Sequence, residues 1–398
     1  MFPLNAAGRI GVTVLLLLAG VVALRLGESV FVPVLIALLL STVLGPIAWW
    51  MHKTLGIRWG LACITVVLGL ILVNAVIVTI FSASVLRLVN QLSDPQEVLK
   101  TYKGFRSQLE KIEKMTPLEL DDEMFPKTPK EIGQIRVFRF AVDAAPDILK
   151  RGLKLASDWT WELVLTLFIT FFVLLEGQTL ARRAVAIVGP SEEVQAKATE
   201  VLLEMANQVR TYLVWRTVIN VGLAIVMGLV YQLAGLEQAW TWAILLAILN
   251  YVPYLGPVLA SVPPFLDAFI FNSPAVAIVV TVVFWVVIIM EGYLVVPLLM
   301  GHHMDLNATT VMVACLFWEL VWPGMTGLFL AMPIMAGVKA ILENVPEWRV
   351  WATLMSAEGD DDKILPAPAP AEAHTDSPNG APEHVGQGPK QPDMVSPP

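Results

Sequence analysis

Eight apolar stretches, each near or above the length needed to cross a bilayer, divide this chain. They lie near residues 8–26, 30–50, 60–85, 157–176, 215–234, 239–265, 274–299 and 308–342. A helix rises 1.5 Å per residue, so about 20 apolar residues match the hydrocarbon slab. Within that slab every backbone N–H and C=O must be satisfied by protein, which the helix does within one segment. The pattern predicts an all-α polytopic membrane protein with about eight transmembrane helices. Composition agrees: 15% of residues are charged and 56% hydrophobic, against roughly 25% charged in a soluble domain. The first thirty residues resemble a secretory signal, with Arg9 before an apolar core. Arg25 and Glu28 stand where small cleavage-site residues belong, so the segment reads as a retained first span.

The sixth and eighth stretches are too long for one straight crossing, and both contain Pro and Gly. The sixth carries N-Y-V-P-Y-L-G-P over 250–257 and S-V-P-P over 261–264. Proline removes a backbone donor, and both Pro and Gly interrupt the helix ladder. Broken backbone at membrane depth is tolerated only inside protein or beside a water-filled cavity. Broken helices or re-entrant pieces are therefore expected in the C-terminal half, and this cluster marks the first candidate for a translocation path.

Lys and Arg set the expected orientation. Arg9, Lys53, Arg58, Arg182, Arg183, Lys197, Arg210, Arg216, Lys339 and Arg349 fall on one face if eight segments cross, and that face reads as cytoplasmic. Both termini then lie in the cytoplasm. The loops near 235–238 and 300–307, without Lys or Arg, fall on the opposite face.

Four parts follow: N-terminal transmembrane helices over 1–85, an extracytoplasmic helical segment over 86–156, a core transport region over 157–345, and a tail over 356–398. In the outer segment Val98, Tyr102, Phe105, Leu109 and Ile112 recur at helical spacing. In the core region, 191–213 reads as a cytoplasmic amphipathic helix capped by Ser191, with Glu192 and Glu193 suited to its dipole. The tail is rich in Pro, Ala, Glu and Asp and reads as disordered. Much of the net charge of −8 belongs to it, and no nucleic-acid footprint is visible.

The candidate pathway residues are Asn250, Pro253, Gly256 and Pro257, because a helix break exposes carbonyls and amides that bind an ion or polar solute. Glu291 joins them as a carboxylate inside the seventh span, costly there unless paired or hydrated, with Pro297 ending that span. Glu319 is a weaker candidate among Trp318, Trp322, Pro323 and Gly324. Asp267 reads as the cytoplasmic end of the sixth span, and Arg210 and Arg216 as headgroup anchors. His302, His303 and Asp305 lack further ligands at recognisable spacing, so no metal and no cofactor are expected. Cys63 and Cys315 lie in apolar runs and read as small hydrophobes. No phosphate-binding loop, nucleophile elbow, H-E-x-x-H or dinucleotide fingerprint occurs, so the chain does not read as an enzyme.

Three stretches carry a resemblance: I-L-N-Y-V-P-Y-L-G-P-V-L-A-S-V-P (248–263), E-G-Y-L-V-V-P-L-L-M-G (291–301) and P-G-M-T-G-L-F-L-A-M-P (323–333), followed by Lys339. In order and spacing they resemble the autoinducer-2 exporter (AI-2E) family of permeases. The resemblance implies a bacterial inner-membrane protein with eight spans, homo-oligomeric, linked to efflux of the quorum-sensing signal autoinducer-2 and in some members to sodium(lithium)/proton antiport. Carried over by residue, Pro253, Gly256 and Pro257 match the first motif, Glu291 and Pro297 the second, and Gly327 and Pro333 the last. The expected activity is secondary export of a small polar solute past the 250–264 break. A cation/proton antiporter using Glu291 or Glu319, and a non-transporting membrane scaffold, are the alternatives.

Overall fold

The computed structural model describes residues 6–93, 136–189, 191–300, 306–345 and 348–357, with scattered positions between 96 and 113. Among these residues every regular element is helical. Seven helices are long and apolar enough to cross a membrane. The acidic tail, the 300–307 histidines and most of the outer segment lie outside the described residues.

Helices α1 (Ala6–Leu26), α2 (Glu28–Leu55), α3 (Trp59–Ser93) and α4 (Arg136–Val188) form the first half. Pro33 and Pro46 lie within α2 without ending it, as neighbouring helices allow in membrane proteins. Small side chains let these helices approach: Ala48, Ala62 and Cys63 are fully buried against Leu167 and Leu174 of α4. Cys63 and Cys315 are buried and unpaired, as small apolar residues would be. Helix α4 is 53 residues long, roughly 80 Å, so it overshoots any bilayer.

Helix α5 (Glu192–Leu233) opens the second half. Ser191 caps it, its hydroxyl accepting from the Val194 amide at 3.4 Å. The amphipathic stretch 191–213 and the fifth span are thus one continuous helix of 42 residues.

The two stretches expected to be broken are broken, and each folds back on itself. In the first hairpin, α6 (Ala239–Leu249) and α7 (Leu255–Asp267) are joined by a turn at 250–254. The legs have 11 and 13 residues, about 16 and 20 Å, short of the 30 Å slab. Their outer ends meet. The Trp242 indole donates to Asp267 Oδ2 at 2.6 Å, the Gln238 amide donates to the same oxygen at 3.3 Å, and Asn272 Nδ2 donates to the carbonyls of Ala234 and Gly235. At the tip a Cβ on Gly256 would collide with the Leu249 carbonyl.

Helix α8 (Pro274–Met290), a π-helical turn (Glu291–Val295) and α9 (Val296–Met300) then carry the chain away from that base. The second hairpin follows, α10 (Ala308–Val321) and α11 (Met325–Asn344). A Cβ on Gly327 would strike the carbonyls of Trp318 and Trp322. Its base also closes: through a last helix, α12 (Arg349–Met355), the chain returns to Asn307. The Asn307 amide donates to Met355 O and its side chain to Leu354 O, both at 2.8 Å.

The two hairpins enter from opposite ends of the bundle. The first has its base at the C-terminal end of α5, through Ala234. The second has its base beside the N-terminal half of α5, where Gln208 donates to Glu343 at 3.1 Å and Met205 lies 3.4 Å from a Cβ built on Gly337. Three sequence expectations change as a result. Asn307, at the start of α10, lies at the end opposite to 235–238, not beside it; the seventh span runs in the reverse direction; and Asp267 lies beside 237–242. The physical reason is parity. Exchanging two crossings for two hairpins leaves the flanking Lys and Arg clusters on the same face, so counting charges cannot detect it.

Candidate functional site

The tip of the first hairpin meets α5 and α8 at one buried polar cluster. Tyr212, Arg216 and Asn220 are spaced four apart on α5 and share one face. Arg216 reaches two partners at once. One guanidinium nitrogen donates to Glu291 Oε1 at 2.7 Å, and the other donates to the backbone carbonyl of Asn250. Asn250 is the C-cap of α6, so the cation sits at a helix C-terminus, where the dipole favours it. Glu291 is 5% exposed and begins the π-helical turn, a distortion often found where a side chain must be re-aimed for function.

The amides of Asn220 and Asn250, each 1% exposed, complete the cluster. Asn250 Nδ2 donates to Asn220 Oδ1 at 3.0 Å. The remaining side-chain atoms, Asn250 Oδ1 and Asn220 Nδ2, are buried without a partner. An orphan acceptor and an orphan donor of this kind each forgo about 1–3 kcal/mol, and together they match a solute bearing hydroxyl or carbonyl groups. Beside them the Thr217 and Tyr251 hydroxyls lie 2.6 Å apart.

The broken backbone itself is satisfied largely by protein. Amides of Tyr251, Val252, Leu255 and Gly256 bond within the turn, and Arg216 takes the Asn250 carbonyl. The unmet polar capacity therefore belongs to side chains, not to the main chain as the sequence suggested. Tyr254 holds the turn with a φ of 60°, a left-handed conformation that favours glycine and marks local strain.

Of the residues singled out from sequence, Asn250, Pro253, Gly256 and Pro257 form this tip, and Glu291 joins it through Arg216. Pro297 lies beyond the π turn on an exposed stretch of α9. Glu319 stands apart, exposed on α10 one turn before the second tip. Arg216, which its position in the sequence predicts to be a headgroup anchor, pairs instead with buried Glu291. Asn220 and Tyr251 were missed, although the four-residue spacing of polar side chains along α5 was a usable signal. The second hairpin touches the site through Phe329, whose ring centroid lies 6.0 Å from that of Tyr251. Its own tip is held by the Trp322 indole, which donates to Leu24 O of α1 at 3.0 Å. Among the described residues no group of three or more metal-ligating side chains occurs.

Residues 12–347 match the model of the AI-2E family transporter. The chain belongs to that family. It is 24% identical to AI-2 transport protein TqsA of Escherichia coli (strain K12), over 84% of this chain and 91% of the relative. It is 26% identical to "Putative transport protein YhhT" of the same organism, over 84% and 91% of the two chains. Membership makes the chain a membrane transporter by family and gives the paired hairpins a transport setting.

Proposed function

We propose that this AI-2E family member is a secondary permease that exports a small polar solute past the tip of the first hairpin. The observation that carries the reading is the buried cluster at that tip, where orphan amide atoms of Asn250 and Asn220 stand beside a compensated Arg216–Glu291 pair. Opposite charges cancel there, so the site suits a neutral, hydroxyl- or carbonyl-bearing solute better than a free ion. The name of the Escherichia coli relative makes autoinducer-2 a reasonable first solute to test. Export, quorum signalling, a homo-oligomeric state and an inner-membrane location with cytoplasmic termini belong to this proposal. Antiport through Glu291 fits less well, because that carboxylate is held by Arg216 at 2.7 Å and an exchange site needs it free.

Full-length protein reconstituted in liposomes tests the reading. Flux across a panel of small neutral and charged solutes should favour neutral polyhydroxy compounds. Asn250→Ala and Asn220→Ala should each lower the rate about tenfold while the protein still assembles, since about 1.4 kcal/mol of lost interaction is a factor of ten. A panel that moves only Na+ or Li+ against protons would support the antiport alternative. No flux of any solute would favour the scaffold alternative.

A further inference from the structure

A second buried carboxylate lies at the other end of the first hairpin. Asp267 is 5% exposed. Its Oδ2 accepts from the Trp242 indole at 2.6 Å and from the Gln238 amide at 3.3 Å. Its Oδ1 is buried and makes no hydrogen bond. The Trp242 and Gln238 donors, the Glu237 backbone and the N-terminal end of α6 favour the ionised form by partial charge, yet among the described residues no cation pairs with it.

Helices α6 and α8 and the π-helical turn Ala268–Asn272 contain no titratable side chain. The 234–238 loop contributes Glu237, whose charge is of the same sign. Helix α5, which meets this base through Ala234, carries Tyr231 one turn earlier, fully buried with its hydroxyl making no hydrogen bond. Helix α3 reaches α6 through Ser84 and Thr241, and Arg87 follows one turn later on that helix. Arg87 is exposed and makes no ion pair with Asp267 among the described residues.

We infer that Asp267 is a proton-binding site at the base of the first hairpin, taking its proton on the bare Oδ1. A buried carboxylate is retained only when paired or neutralised, and a proton meets that need at a single atom without a ligand cage. Proton binding weakens Oδ2 as an acceptor. The contacts to Trp242 and Gln238 that close the hairpin base then loosen as the pH at that face falls. Asp267 thus joins the state of the base to the pH of the compartment that base faces. Its use in driving transport rests on the permease reading; the binding of the proton does not.

Infrared difference spectra of the full-length protein in lipid nanodiscs, recorded between neutral and acidic pH, test this directly. Wild type and Glu291→Gln should show a protonated-carboxyl band that Asp267→Asn removes. Trp242→Phe should keep the band and move its midpoint about one pH unit upward, because a donor to the ionised form is gone. That arm decides the matter if the asparagine variant fails to fold. Spectra identical in wild type and Asp267→Asn would overturn the inference. So would an unmoved midpoint in Trp242→Phe, or a band that follows Na+ at fixed pH. A protein that titrates here but moves no solute would sink the permease reading alone.

Discussion

Arg216 is the residue on which the tip cluster turns. Its side chain is 13% exposed and that of Glu291 7%, so neither charge has much water to fall back on. Removing one partner of such a pair leaves an uncompensated charge, at a cost of about 3–5 kcal/mol. Arg216→Ala should therefore lower thermal stability markedly in nanodiscs followed by intrinsic fluorescence, and adding Glu291→Gln should recover part of the loss. If the double variant is no more stable than the single one, the two charges are not coupled. Arg216→Lys keeps the charge but cannot hold Glu291 and the Asn250 carbonyl together, because an ammonium lacks the planar fork. Flux should fall while the protein assembles normally.

At the scale of elements, the hairpins depend on two glycines. A side chain on Gly256 or Gly327 meets backbone carbonyls of the opposing leg, which cannot move aside as a flexible side chain can. Gly256→Ala and Gly327→Ala should each cost about 1–3 kcal/mol or more, read as a lowered unfolding temperature. Glycines with open space, such as Gly222 or Gly69, should tolerate alanine. The direction of the hairpins is testable by thiol labelling in a background without Cys63 and Cys315. Glu237→Cys and Thr309→Cys, both exposed positions, should react with an impermeant reagent from opposite faces. Eight straight crossings would put both on one face. Much of this architecture was legible in sequence: the apolar stretches, the Ser191 cap and the two breaks all stand where residue chemistry put them. The fold-back was legible only as one of two outcomes, a broken crossing or a re-entrant piece, because Pro and Gly announce an interruption without giving the direction in which the chain resumes. The Arg216–Glu291 contact was hidden for a related reason, since the partners are 75 residues apart and only the fold-back brings the tip to them.

The molecule as a whole joins its two hairpins where Tyr251 meets Phe329. Replacing both by cysteine in the same thiol-free background allows them to be bridged by a short bifunctional reagent. Bridging should stop flux, and a cleavable bridge should restore it on reduction; undiminished flux in the bridged protein would show that the two tips need not separate. The aromatic contact has a consequence for leakage. With one hairpin entering from each end and the first tip resting on a leg of the second, a displacement of either presses on the other, and on the permease reading the barrier would behave as two doors sharing a hinge. Such doors would admit traffic in turn and not stand ajar together, which would spare the cell's ion gradients while cargo passes.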